Sequence, residues 1–231
     1  MNKELDFLWS GKHFKTRDWY NPNDPHIIRM TYGEAKLLNK YCKKAKKGIL
    51  EIGRFFGGST YFIVASSPKN IPVLSVDIIN HIKIYKNESD VPINNSLKDL
   101  KKRYTSNDYV KVVNYINEAQ QDKKLSLLNI DSKQLELKED YDVVFIDGDH
   151  SYEGVKNDVE KVLRSSTKYI LLHDYLDEPC PTEFSSDAWK KQCQKYKPIK
   201  NYIDSIVSQN ICKRIEITDT MIVLEHIKKE I

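Results

Sequence analysis

Five short apolar runs recur along the chain, and none of them alternates with polar residues: Gly48–Ile52 (GILEI), Val73–Asp77 (VLSVD), Leu125–Ile130 (LSLLNI), Tyr141–Asp147 (YDVVFID) and Tyr169–Leu172 (YILL). A strand with one wet face alternates apolar and polar residues, whereas unbroken runs suit strands covered on both faces, as in a parallel sheet. Amphipathic stretches lie between them. Glu34 to Lys46 places Leu37, Leu38, Tyr41 and Cys42 on one helical face, and Tyr152 to Leu163 does the same with Val155, Val159, Val162 and Leu163. The alternation predicts a doubly wound α/β domain. Near the C-terminus, Arg214–Ile217 and Met221–Glu225 flank Thr218-Asp219-Thr220, which predicts a closing antiparallel hairpin.

Two stretches fall outside this rhythm. Residues 1–32, with Trp9, Phe14, Trp19, Tyr20, Pro22 and Pro25, form an N-terminal extension, read as a lid, ahead of a domain spanning 33–231. Residues 78–124 make a long insertion, with a helix expected from Asn95 to Tyr104. Connections of that length are often lids or binding loops.

Charge narrows the partners. Lys and Arg number 37 against 33 Asp and Glu, a net charge of +4 that calls for neither a nucleic acid nor a membrane surface. The start, Met1 to Asp6, lacks the apolar segment of a signal peptide, and no apolar run is long enough to span a bilayer. Cys42, Cys180, Cys193 and Cys212 show no C-x-x-C spacing and read as free thiols. A cytoplasmic protein is expected, with its oligomeric state, homo-oligomers included, left open.

The chemistry gathers where the runs end. After Ile49-Leu50-Glu51-Ile52 comes Gly53-Arg54-Phe55-Phe56-Gly57-Gly58, with Ser59 or Thr60 placed to cap the next helix. Glycines there let backbone approach a ligand. The spacing departs from the G-x-G-x-x-G of dinucleotide binders, and no Lys-Ser/Thr pair follows as in a P-loop, so an NAD-binding oxidoreductase is a secondary alternative. Asp77, ending the second run, is placed to accept ribose hydroxyls, though a turn-capping role fits it equally. Asp131 and Ser132 close the third run and could contact an adenine amino group or simply form a turn. The fourth ends in Asp147-Gly148-Asp149-His150 and the fifth in His173-Asp174. Neighbouring parallel strands would bring Asp147, His173 and Asp174 together as an O/N/O metal candidate.

With these segments in order, EIGRFFGGST, VLSVD, NIDS, FIDGDHSYEGVKND and ILLHD, the chain resembles class I S-adenosylmethionine-dependent methyltransferases over about residues 33–226. More narrowly it resembles the metal-assisted O-methyltransferase branch with macrocin-type and other sugar O-methyltransferases, the cephalosporin-hydroxylase-like group and, more remotely, catechol O-methyltransferase. The resemblance implies a Rossmann-like, mostly parallel seven-stranded sheet. It implies that Glu51, Gly53, Phe55, Phe56, Gly57 and Ser59 hold the methionine end of S-adenosylmethionine, Asp77 its ribose, and Asp131 with Ser132 its adenine. Asp147, His173 and Asp174 would hold a divalent cation, Mg²⁺ or Mn²⁺, and His150 would be the general base. The relatives usually carry a carboxylate where His173 stands, and an imidazole there shifts preference away from Mg²⁺ toward Mn²⁺, Fe²⁺ or Zn²⁺. No N/D-P-P-Y/F motif follows the fourth run, which disfavours methylation of base amino groups. The implied substrate is a small molecule offering a hydroxyl, such as a sugar, glycoside or polyol. A non-catalytic binding module of the same fold is the alternative from a different class.

Overall fold

A computed structural model describes residues 28, 30–80, 82–84, 86–90, 105–137, 140–175 and 187–227, with side chains omitted at 88 and 187–195. Nearly all of the 1–32 extension, the expected helix at Asn95–Tyr104, and Cys180 lie outside these residues. Cys42 and Cys212 are free and buried.

Seven strands form one sheet: β1 (Ile49–Ile52), β2 (Val73–Asp77), β3 (Leu125–Asn129), β4 (Val143–Ile146), β5 (Tyr169–Leu172), β6 (Cys212–Thr218) and β7 (Met221–His226). Their order is β3-β2-β1-β4-β5-β7-β6. The first five are parallel, and β7 runs antiparallel to both β5 and β6. The helices are α1 (Tyr32–Cys42), α2 (Gly58–Ser66), α3 (Asn107–Gln121), α4 (Tyr152–Leu163) and α5 (Asp187–Ser208). The doubly wound sheet with its terminal hairpin is therefore as the sequence predicts.

The period of two along each strand divides the core into two layers. Ile49, Val73, Val143, Phe145, Leu171 and Val223 pack on one face with α1, α2 and α3. Leu50, Ile52, Val144, Ile146, Ile170, Leu172 and Leu224 pack on the other with α4 and α5. Both neighbours of β1 and β4 are strands and both faces are covered, so all four residues of each are buried. β3 lies at the sheet edge, and there burial is intermittent. Helix α4 shows how local sequence sets an element. Ser151 caps it by accepting from the Gly154 N–H at 3.0 Å, and Val155, Val159 and Val162 recur at helical spacing on the sheet side. Each fully buried valine contributes about 1.5–3 kcal/mol.

Two helices were not anticipated. The 78–124 connection ends in α3, which buries Tyr109, Val112, Val113, Ile116 and Ala119 as the crossover from β2 to β3. Helix α5, 22 residues with Pro198 inside it, buries Tyr196, Ile199, Ile203 and Ile206. Among the described residues no helix is long and apolar enough to cross a membrane.

Strand order reverses between β1 and β4: the chain leaves β1 toward β2 and β3, then returns on the other side. At such a switch point, open α/β sheets take ligands in the crevice outside the carboxyl ends of the strands.

Candidate active site

The loop after β1 lines one side of this crevice. Gly53 (φ +90°), Phe55 (φ +47°) and Gly57 (φ +86°) turn it sharply. Gly53 donates its N–H to Val76 O at 2.8 Å, and a Cβ there would lie 2.3 Å from the Asp147 carbonyl oxygen and 2.6 Å from Gly148 Cα. Only glycine meets both demands. Asp77 accepts the Arg54 and Phe55 N–H groups on Oδ2, both at 2.9 Å, and the Ile79 N–H on Oδ1 at 3.2 Å. Its first task is thus to fix the loop from the neighbouring strand.

The helix cap expected from Ser59 or Thr60 is corrected by the structure. Gly57 is the N-cap of α2, in the left-handed region with no side-chain cap. Thr60 instead turns under the loop, donating to Glu51 Oε2 at 2.6 Å, and Ser75 donates to the same oxygen at 2.5 Å. Glu51 is fully buried, behind the loop. Burial pushes its carboxyl up to about 7, against the opposing pull of the Ser59, Ser75 and Thr60 hydroxyls and the Arg54 charge. Phe55 and Phe56 meet edge to face, centroids 4.4 Å apart, and Phe56 is buried beneath.

Arg54 was not singled out from the sequence. Its guanidinium is buried and donates from Nη1 to Ser75 O at 2.9 Å and Leu128 O at 3.0 Å, and from Nη2 to Asn129 Oδ1. One side chain so ties the loop to the ends of β2 and β3. A charged residue inside an otherwise neutral glycine loop was the available clue. Asp131 accepts from Lys133 N at 2.9 Å and caps the turn Ser132–Gln134. Lys161 holds that turn by donating to the carbonyls of Ser132, Lys133 and Leu135 at 2.5, 3.0 and 2.7 Å.

Across the crevice, the ends of β4 and β5 bring together all four residues predicted there. Asp147 Oδ1 faces His150 Nε2 at 3.3 Å and His173 Nδ1 at 3.0 Å. Asp174 Oδ2 lies 2.9 Å from His150 Nδ1, and its Oδ1 lies 3.5 Å from His173 Nδ1. Asp174 itself sits at φ +58°, a conformation Asp tolerates better than most residues. Tyr196 Oη approaches His150 Nδ1 at 3.4 Å. Asp149 turns away and serves the next helix, accepting from Ser151 N at 2.9 Å and Ser151 Oγ at 2.8 Å.

A fifth member, Glu34 of α1, was missed. Its fully buried carboxylate lies 3.4 Å from His173 Nε2. From sequence, Thr31-x-x-Glu34 carries a capping box and nothing more specific, and both capping bonds are present.

The electrostatics follow from this packing. Burial opposes a charged His150, but the Asp147 and Asp174 carboxylates outweigh it and push the ring up to about 10. Burial likewise opposes a charged His173, and Asp147, Asp174 and Glu34 raise it well above the usual range. Asp147 is held well below the ordinary carboxylate range: burial acts upward and the two histidines prevail. Two carboxylates facing its two nitrogens thus set His150 apart from an ordinary imidazole.

Donor atoms of Asp147, His173 and Asp174 lie within 4.8 Å of one another. Neighbouring ligands on a small divalent ion with bonds of about 2.1 Å sit roughly 3 Å apart. The 3.0 and 3.5 Å separations from His173 Nδ1 to the two carboxylates match that spacing, so the donor set fits such an ion.

Residues 50–175 match a family described as a methyltransferase domain. No match was found among curated proteins. Among solved structures, the chain is similar to the S-adenosylhomocysteine-bound methyltransferase PaMTH1 of Podospora anserina, at TM-score 0.55 and 11% identity, covering 99% of this chain and 89% of that one. It is also similar to the O-methyltransferase TomG of Streptomyces achromogenes, bound to S-adenosylmethionine, at TM-score 0.54 and 11% identity over 98% and 94%. A Bacillus cereus O-methyltransferase in complex with S-adenosylhomocysteine gives 0.52 and 16% over 86% and 82%. At these identities the likeness is one of fold.

Proposed function

We infer the reaction from one premise: the chain belongs to the methyltransferase-domain family. We propose an S-adenosylmethionine-dependent O-methyltransferase that acts on a hydroxyl of a small polyhydroxylated acceptor such as a sugar or glycoside. One observation carries the reading. A sharply turned glycine loop and a carboxylate–imidazole cluster lie at the same strand ends, joined by the contact of Gly53 with the Asp147 backbone. The cofactors bound in PaMTH1, TomG and the B. cereus enzyme support the choice of S-adenosylmethionine. Two carboxylates and two imidazoles held together in partial burial are costly to maintain and typical of reactive sites, which supports an enzyme over a purely structural module.

Methyl transfer from a sulfonium is an in-line displacement. The acceptor oxygen forms the new bond to the methyl carbon as the carbon–sulfur bond breaks, and the electron pair stays on sulfur. In this reading the loop Gly53–Gly57 and Asp77 hold the cofactor while Asp147, His150 and Asp174 position the acceptor; such positioning is worth up to about 7–11 kcal/mol in ideal cases. When bound at Asp147, His173 and Asp174, a divalent cation would supply charge that acidifies the acceptor hydroxyl and offsets the carboxylates that otherwise keep His150 protonated. In its neutral form His150 would be placed to receive the acceptor proton, and Asp147 and Asp174, facing its two nitrogens, would hold the resulting charge. Calorimetry with S-adenosylhomocysteine and, separately, NAD tests the premise of the mechanism. Binding of the first alone is expected; binding of NAD alone would overturn it in favour of an oxidoreductase.

A further inference from the structure

Helix α1 is remote in sequence from β4 and β5, yet its Glu34 reaches their ends. A capping-box glutamate needs only one bond, back to the N-cap N–H. Glu34 Oε2 takes that bond from Thr31 N at 2.7 Å and also faces His173 Nε2 at 3.4 Å. Its Oε1 accepts from Thr220 N at 2.9 Å and Thr220 Oγ1 at 2.6 Å. Every acceptor direction of this carboxylate is therefore aimed at a fixed donor. Of these donors, His173 alone belongs to the reactive cluster.

The geometry also divides the work of the imidazole. With Nε2–H directed at Glu34, Nδ1 is the nitrogen turned toward Asp147 Oδ1 and Asp174 Oδ1, at 3.0 and 3.5 Å. We propose that Glu34 is the positioning residue of the cation site, taking the Nε2 hydrogen bond so that Nδ1 is presented as the donor atom between Asp147 and Asp174. This rests on the cation-assisted reading above. An outer carboxylate of this kind fixes the ring's tautomer and orientation and strengthens it as a donor, and losing one typically costs about 10–100-fold in metal affinity. It also accounts for how an imidazole can stand where the resembling enzymes carry a carboxylate: the missing negative charge is supplied one bond further out.

The test is Mn²⁺ titration of the full chain followed by electron paramagnetic resonance, in Glu34→Gln, His173→Asp and the double variant. Gln also serves at the third position of a capping box, so Glu34→Gln keeps the helix start. Glu34→Gln is expected to weaken Mn²⁺ by about 10–100-fold in the native background and by less than about threefold beside His173→Asp, where no ring remains to orient. Thr220→Val, which removes one Glu34 bond and leaves the His173 contact, is expected to stay within about threefold of the native chain. Should Glu34→Gln not fold, Glu34→Asp draws the carboxylate back from Nε2 and is expected to lose affinity in the same background-dependent way. Equal losses in both backgrounds, or an equal loss in Thr220→Val, would overturn the inference. So would a native chain that binds no Mn²⁺. S-adenosylhomocysteine calorimetry on the same samples separates the failures: retained binding leaves the methyltransferase reading standing, and its loss in folded native protein sinks both.

Discussion

At the ends of β1 and β2, Asp77 is met by backbone N–H groups of Arg54, Phe55 and Ile79. At the ends of β4 and β5, Asp147 and Asp174 are met by imidazoles. Both regions place half-buried carboxylates at strand ends of one sheet, but the first meets its acid with fixed dipoles and the second with titratable cations. Fixed dipoles make a receptor whose form does not change with protonation. A carboxylate–imidazole cluster can move protons, and its charge state answers to whatever enters it. In the proposed function, the first is the cofactor half and the second the reacting half.

The sharpest way to break this comparison is His150→Gln. If the β4–β5 side performs the chemistry alone, kcat should fall by about 10²–10⁴ while S-adenosylhomocysteine affinity stays nearly unchanged. Unaltered turnover with the true acceptor would make His150 a packing residue.

Glu51 tests the other half through pH. Its carboxyl is raised in the folded state from 4.5 to about 7, so the folded chain keeps a proton that the unfolded chain releases. This contribution to stability is full below about pH 4.5 and is lost as pH rises to about 7, by up to about 3 kcal/mol. Denaturant unfolding of the native chain and of Glu51→Gln across that window should show the slope in the first and its loss in the second. Parallel curves would remove Glu51 as the cause.

Asp77→Ala strips the loop of its acceptor and should weaken S-adenosylhomocysteine by about 1.5–3 kcal/mol in calorimetry, the usual worth of hydrogen bonds to a charged group. Unchanged affinity would confine Asp77 to a turn. The smallest effect is expected from Ser151→Ala, which removes the cap of α4 and should cost about 1 kcal/mol in thermal or denaturant stability without altering cofactor affinity.

The strands β1, β4 and β5 were legible because burial on both faces leaves an unbroken apolar run, and β5 and α4 fall at the residues their patterns mark. The helices α3 and α5 were not. Asn107–Gln121 is embedded in a long polar connection, and Pro198 interrupts the pattern of α5 at the point where a helix is expected to end. The site divides in the same manner. Asp147, His150, His173 and Asp174 were visible because strand ends are fixed by the sheet. Arg54 and Glu34 act through side-chain reach, to Asn129 and to His173, and no spacing rule records such distances. The shift of His150 to about 10 was hidden for the same reason, since it needs Asp147 and Asp174 together and a different strand supplies the second.

Gly53 brings the turn after β1 against the carbonyl of Asp147 with no room for even one methyl group. Considered mechanically, this is a joint without clearance: the loop that would carry the methyl donor rests against the backbone that leads on to His150. Any side chain at position 53 would displace both partners together. A change of acceptor must then be accommodated by segments that do not run through this joint.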